Sequence, residues 1–359
     1  MVVLRNWQKQ IIDDFPAIVK QHRRFILKAP TGAGKTILAS EIVEQFYKGK
    51  KILVLCHRLV LLEQLQKALS ARHSVHKLSV SEDGKAFDGY DILLSTNMRA
   101  KDVLEEAIKM ADLIIVDEAH RVSPNGTGYK KIIDDFEKEG KIGAQFMGLT
   151  ASPERRTGDQ RDQLSLAFDA IIDCANIETL IEEGILVPPI YRPHFIHDLD
   201  LSSIDISSGD FPVSKLAPAI VKSSMIDYAT FIYMEERQNV PAAPISAWFC
   251  PDVTVAEATL GKIRAKGIEA EIVTASTPIA ERMQLLEAHE NGTIEAMVSV
   301  GVLAEGWDNP HCNLIVHLRP TLSKVVWGQT VGRGLRSAEG KDRCIVIDVS
   351  SNWSTFGPV

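Results

Sequence analysis

The stretch Ala29-Pro30-Thr31-Gly32-Ala33-Gly34-Lys35-Thr36 has the residue types and spacing that hold a nucleotide's phosphates. Its glycines allow backbone N–H groups to turn toward an anion, and the helix that follows would add its positive end. Thr31, Gly32, Ala33 and Gly34 would form the cradle, Lys35 would reach the β/γ-phosphates, and the Thr36 hydroxyl would hold Mg²⁺. The usual pattern opens with Gly, whereas this one opens with Ala29. A second chemical pair, Asp117-Glu118, follows the aliphatic run Leu113-Ile114-Ile115-Val116. Two carboxylates at the tip of a buried strand are costly unless a cation sits beside them. Mg²⁺ supplies that charge: Asp117 would face the metal, and Glu118 would orient and deprotonate an attacking water.

Three further candidates have bland readings beside the chemical ones. Thr150-Ala151-Ser152-Pro153 reads either as a hydroxyl relay or as a helix cap. Gln8, upstream of the phosphate loop, has an amide that can pair with the N6/N7 edge of adenine. It also suits a surface helix capped by Asn6. Arg58 ends a buried run and is either a phosphate contact or a solvated helix-start residue; taken alone, the solvated reading is the better one.

These residues need a scaffold, and the hydrophobic pattern supplies it. Short aliphatic runs at Phe25-Ile26-Leu27, Ile52-Leu53-Val54-Leu55, Ile92-Leu93-Leu94, Leu113–Val116 and Gln145–Leu149 alternate with helical periodicity. That alternation implies a parallel, doubly wound α/β sheet, with ligand-binding residues at the strands' carboxyl ends. Pro188-Pro189 marks a change of organisation. A polar loop at 198–210 and a helical segment at 213–237 lead into a second α/β series, at Ile245–Cys250, Ala270–Val273, Ala296–Ser299, Asn313–Val316 and Cys344–Ile347. It has no second lysine-bearing phosphate loop. The expected domains are 1–185 and 186–359, with 198–240 as an insertion.

Composition narrows the class. A chain of 359 residues is too long for one comfortable core, which favours two domains. The net charge of −7 argues against a globally basic nucleic-acid-coating protein, although 40 Lys and Arg leave room for a local basic groove. No apolar run approaches the roughly 20 residues that span a bilayer. The N-terminus lacks the charged region of a secretory signal, so a cytoplasmic protein is expected, with no membrane partner. The cysteines at 56, 174, 250, 312 and 344 form no CxxC pair, which speaks against zinc and for buried thiols.

Taken in order, the motifs resemble the helicase core of superfamily two, in the DEAH-lettered branch. Asp117-Glu118-Ala119-His120 spells that box, and Ala29 is normal there. Leu4-Arg5-Asn6-Trp7-Gln8 looks like the adenine-reading motif, and Thr150-Ala151-Ser152 like the motif that couples hydrolysis to strand movement. Gly306-Trp307-Asp308-Asn309-Pro310 and Gln329-Thr330-Val331-Gly332-Arg333-Gly334-Leu335-Arg336 look like the fifth and sixth motifs. The Leu-Arg-x-x-Gln start and Val-Gly-Arg-Gly-Leu-Arg ending are most similar to RadD-type bacterial and phage DNA repair helicases.

The resemblance implies two tandem RecA-like parallel-sheet domains with the ATP site in the cleft between them. ATP and Mg²⁺ would be the cofactors. Arg5, Gln8, Gly306 and Asp308 would join the phosphate loop in binding ATP, and His120, Thr150 and Ser152 would couple hydrolysis to movement. Gln329 would lie beside the γ-phosphate or water. Arg333 and Arg336, three apart on an expected helix and so on one face, would stabilise the transition-state charge. Arg58, Thr96, Thr274 and Ser299 occupy backbone-contact positions toward nucleic acid, where contacts carry little sequence information. The implied activity is an ATP-driven helicase or translocase, probing DNA in preference to RNA, moving 3′ to 5′, and acting as a monomer. A duplex translocase that remodels without net unwinding, an RNA helicase and a nucleotide-gated binding module are the competing expectations.

Overall fold

The computed structural model describes residues 3–56, 66, 69–70, 75–77, 86–87, 89–96, 101–122, 129–153, 164, 167–206, 209–240, 242–304 and 307–359. They form two units, Met1–Asn176 and Ile177–Val359. The boundary therefore falls before 185, the position the proline signal suggested. A short helix at Ile177–Glu182 belongs to the second unit, where the Val187 N–H donates to the Leu335 carbonyl at 2.7 Å.

The described elements of the first unit are α1 (Asn6–Gln21), β1 (Arg24–Lys28), α2 (Lys35–Phe46), β2 (Ile52–Cys56), β3 (Val75–Lys77), β4 (Ile92–Thr96), α3 (Lys101–Met110), β5 (Leu113–Asp117), α4 (Tyr129–Glu139), β6 (Gln145–Thr150) and β7 (Ala170–Asp173). Asn6 is the first residue of α1 rather than its cap, a place taken by Arg5. The strands form a parallel sheet in the order β3-β4-β2-β5-β6-β1-β7. Its central strands are buried on both faces, which is why they read as uninterrupted aliphatic runs. Register does the functional work: Lys28 pairs with Thr150, and Asp117 pairs with Leu149. The carboxyl ends of β1, β6 and β5 therefore lie side by side, and the phosphate loop, the hydroxyl motif and the carboxylate pair leave the sheet as neighbours.

The second unit contains α5 (Ile177–Glu182), β8 (Pro189–Pro193), α6 (Val213–Lys222), α7 (Met225–Glu236), β9 (Ser246–Phe249), α8 (Val253–Arg264), β10 (Ala270–Val273), α9 (Ile279–Glu290), β11 (Ala296–Ser299), β12 (Leu314–His317), α10 (Lys324–Gly334), β13 (Cys344–Asp348) and α11 (Asn352–Phe356). Its strands run parallel in the order β10-β11-β9-β12-β13-β8. The expected single helix at 213–237 is two helices, broken at Ser223 and Ser224, where Asp198 accepts bonds from the Ser224 N–H and hydroxyl. Asp210 is buried, and accepts from the Thr321 hydroxyl and the Leu322 N–H, both 2.8 Å away, just ahead of α10.

Candidate functional site: a phosphate cradle and a braced arginine pair

The cradle follows directly from β1. The Ala29 N–H donates to the Thr150 carbonyl at 3.1 Å, so the loop leaves the sheet already tied to the hydroxyl motif. Gly32 and Gly34 adopt φ of 82° and 97°, a left-handed region that L side chains rarely enter. Arg5 and Gln8, from the start of α1, clamp the loop from behind. The Arg5 guanidinium donates to the carbonyls of Gly32 (3.2 Å) and Ala33 (2.5 Å), and the Gln8 Nε2 donates to the Gly34 carbonyl at 3.0 Å. Because a trans peptide points its C=O and N–H in opposite directions, the N–H groups of Gly34 and Lys35 face away from the clamp. That is the polarity an anion requires. Lys35 Nζ bonds the carbonyls of Ala29 (2.9 Å) and Pro30 (3.1 Å), across the mouth of the same loop.

Gln8 differs from the sequence expectation. It is 1% exposed, and its amide oxygen accepts from the Arg5 N–H at 2.9 Å while its nitrogen serves the loop. An adenine-reading edge should stand open; here the amide braces the cradle. A Cβ placed on Gly34 would lie only 3.0 Å from Gln8 Nε2, so the clamp and the glycine need each other.

The carboxylate pair sits at the end of β5. Asp117 Oδ1 accepts from the Glu118 N–H at 3.0 Å, and Glu118 takes φ 53°, strained for a residue with a side chain. A 3₁₀ turn at Ala119–Arg121 follows and packs on Gly148 of β6, where an added Cβ would come within 2.7 Å of the Ala119 Cβ. That close approach brings buried His120 to Thr150. His120 Nδ1 lies 3.0 Å from Thr150 Oγ1 and 3.2 Å from Glu118 Oε2. Thr150 Oγ1 donates its one proton to the Ser152 carbonyl (3.3 Å) and accepts from the Ser152 N–H (3.2 Å). Nδ1 must then carry the hydrogen that the hydroxyl accepts, an assignment made from the network. His120, Thr150 and Ser152 form one hydrogen-bonded path, and the Glu118 carboxylate lies beside its imidazole end. Among the described residues, no group of three or more His, Cys, Asp or Glu side chains is placed to hold a metal. The cradle fits Mg²⁺–nucleotide chemistry instead, in which phosphates supply most of the oxygens and the protein adds Asp117 and half-buried Thr36.

In the second unit, Arg333 lies in the last turn of α10, but Arg336 lies beyond the helix, past the cap residue Leu335. The expected shared helical face is therefore absent. The two guanidiniums converge for a different reason, since both donate to the Trp307 carbonyl, at 2.7 and 3.1 Å. Arg333, 5% exposed, also bonds the Ala304 carbonyl, and Arg336 pairs with Asp308 at 2.7 Å. Burial pulls the Arg336 pKa below the usual guanidinium range, while Asp308 pulls it back up. Gln329 is buried in α10, and Gly306 lies outside the described residues.

Sequence reasoning did not find His289, on α9. Its Nε2 donates to the Ser246 carbonyl (3.0 Å), its Nδ1 accepts from the Asn309 amide (3.2 Å), and its ring packs on Trp307 with centroids 5.7 Å apart. Burial pushes its pKa down to about 4, so the imidazole is neutral. It holds the 307–309 loop from behind. A lone histidine on a helix gives no sequence signal for that role.

The expected nucleic-acid contacts fare unevenly. Arg58 lies outside the described residues, as does the side chain of Thr96, whose backbone ends β4. Thr274, after β10, is buried and its hydroxyl lies 2.8 Å from that of Ser276. Ser299 is 0% exposed, and its hydroxyl accepts from the Leu303 N–H at 3.0 Å. It braces the turn after β11 and presents no surface to a phosphate.

Comparison with known proteins gives two family matches. Residues 1–155 match the family described as type III restriction enzyme, res subunit, and residues 236–338 match the helicase conserved C-terminal domain. A Saccharomyces cerevisiae protein named as the ATP-dependent helicase IRC3 is 28% identical over 96% of this chain. The chain spans 51% of that relative's length. Among solved structures, a fragment of an HsdR subunit of a type I restriction enzyme from Vibrio vulnificus YJ016 superposes with a TM-score of 0.76 at 22% identity, covering 100% of this chain and 66% of the other. The ATP-dependent type ISP restriction-modification enzyme LlaBIII bound to DNA gives 0.69 at 19% identity, over 96% of this chain and 28% of that one. At such identities the structural likeness establishes the fold.

Proposed function

The chain belongs to the superfamily two helicases, and from that premise we propose that it hydrolyses ATP to drive movement along nucleic acid, with DNA as its track. The observation that carries this reading is the alignment of three strand ends. It brings the phosphate cradle, the Asp117-Glu118 pair and the Thr150–Ser152 motif side by side at the carboxyl edge of the sheet.

The loop N–H groups and Lys35 bind the phosphates, Lys35 by leaving the Ala29 and Pro30 carbonyls. Thr36 and Asp117 would hold Mg²⁺, which when bound neutralises charge on the β- and γ-phosphates. Glu118 accepts the proton of the attacking water at a carboxylate oxygen. His120, whose Nδ1 bonds Thr150 and lies 3.2 Å from the Glu118 carboxylate, connects that base to the strand-coupling motif. Arg333 and Arg336 supply the fixed positive charge that a spreading phosphoryl transition state requires.

DNA is favoured because the relatives include restriction enzymes, one solved bound to DNA. The 3′ to 5′ polarity follows the resemblance. Action as a cytoplasmic monomer completes the reading. In keeping with a reducing compartment, the described residues contain no disulfide, and every cysteine but Cys174 is buried. No helix among the described residues is long and apolar enough to cross a membrane.

The test is ATPase turnover measured in parallel with single-stranded DNA, duplex DNA, forked DNA and RNA. Stimulation by a DNA form beyond that by RNA is expected. Equal turnover with and without every nucleic acid would sink the proposal.

A further inference from the structure

We propose that Lys341, outside every motif above, is the positioning residue that sets Arg336 for ATP hydrolysis; this rests on the assignment of Arg336 to transition-state stabilisation.

Lys341 is a buried cation without a role so far. It is 7% exposed, and burial holds its pKa below the usual lysine range. Removing an ammonium from water costs several kcal/mol unless strong acceptors replace the lost hydration. Its acceptors are two backbone carbonyls, Arg336 at 2.7 Å and Pro310 at 2.8 Å. Among the described residues no carboxylate pairs with it.

The location of those two carbonyls is the argument. Arg336 lies past the end of α10, so the helix does not fix the direction of its side chain. Its backbone must be held by something else. The Leu335 carbonyl takes the Val187 N–H at 2.7 Å, and Leu186 forms a bridge with Arg336. The Arg336 carbonyl itself is taken by Lys341. The same ammonium holds Pro310, two residues beyond Asp308, the ion-pair partner of Arg336. Lys341 thus ties down the chain at both ends of the Asp308–Arg336 pair, while touching neither side chain. The tight turn that bonds the Lys341 N–H to the Ala338 carbonyl returns it to this position, five residues after the arginine.

A lysine that merely fills space would act independently of Arg336; one that positions it would not. The test is a double-mutant cycle on Mg-ATP turnover with poly(dT), using Lys341→Met, Arg336→Ala and the pair, with ATP affinity read separately by a fluorescent nucleotide analogue. Lys341→Met should lower kcat about tenfold with the KM for ATP unchanged, and should cause no further loss once Arg336 is alanine. Lys341→Arg, which keeps charge and donors but changes reach, should lower kcat about threefold, again only when Arg336 is present. It carries the test if the methionine variant does not fold. Wild-type turnover in Lys341→Met, or losses that multiply in the double variant, overturn the inference while leaving Arg336 in its role. Wild-type turnover in Arg336→Ala overturns the assignment of Arg336 and this inference with it.

Discussion

Replacing Thr150 with valine keeps the shape of a fully buried side chain and removes one hydroxyl. In the native structure that oxygen accepts from His120 Nδ1 and the Ser152 N–H, and donates to the Ser152 carbonyl. The Glu118 carboxylate, with Oε2 3.2 Å from His120 Nδ1, leaves the imidazole a polar neighbour. The cost then sits at the lower end for a buried group deprived of one partner, about 1–2 kcal/mol. For a unit of 176 residues this lowers the melting temperature by about 2–8 °C. The functional loss should be larger than the loss of stability. Without Thr150, the hydrogen-bonded link from His120 to Ser152 is cut. Stimulated ATP turnover should fall about tenfold or more, while basal turnover without nucleic acid changes less than threefold. The assay is steady-state ATPase with and without poly(dT), beside a melting curve of the same protein. A Thr150→Val enzyme with normal stimulation would refute the coupling path, and an unchanged melt would refute the hydrogen-bond assignment beneath it.

Other perturbations probe the remaining parts. Lys35→Ala should abolish ATP turnover, and Glu118→Gln should retain bound ATP with turnover reduced by about two orders of magnitude or more; wild-type hydrolysis by Glu118→Gln would remove it as the base. Gly34→Ala forces a Cβ to within 3.0 Å of Gln8 Nε2 at φ 97°, costing about 1–2 kcal/mol, and should weaken nucleotide binding in a titration more than it lowers the melting temperature. Acid should destabilise the second unit through two buried imidazoles, His289 and His317, pushed down to about 4 and about 3. Unfolded, each titrates near 6.5, so between that value and the folded one the unfolded chain binds more protons. The stabilisation is complete above about pH 6.5 and is lost as pH falls toward 4, about 3 kcal/mol from His289 alone. Melting curves at pH 7.5 and 5 check it, and His289→Gln should flatten the difference.

The strands missed in the sequence share one property. β3, β7 and β8 are all edge strands of their sheets. An edge strand is covered on fewer sides, so selection for unbroken aliphatic runs is weaker there. β7 alternates between half-buried and exposed positions, and β8 has proline at both ends, which an edge tolerates because a ladder partner is missing on one side. The prolines at 188 and 189 therefore read as a boundary, when Pro189 begins a strand of the second sheet. Central strands such as β2 and β5 had no such ambiguity, because both faces are buried.

By itself, the sequence determined the chemistry on offer: a glycine-bearing loop with lysine and threonine, two carboxylates at a strand tip, and paired arginines near the far end. Those are local properties, set by residue type and by spacing along the chain. Tertiary structure decided what each group is bonded to. It spent the Gln8 amide on the loop, buried Ser299, moved Arg336 off its helix, and gave His289 and Lys341 the task of holding the 307–310 loop. Such partners are distant in sequence. A buried donor bonds whichever carbonyl the fold brings within about 3 Å, and no periodicity encodes that choice.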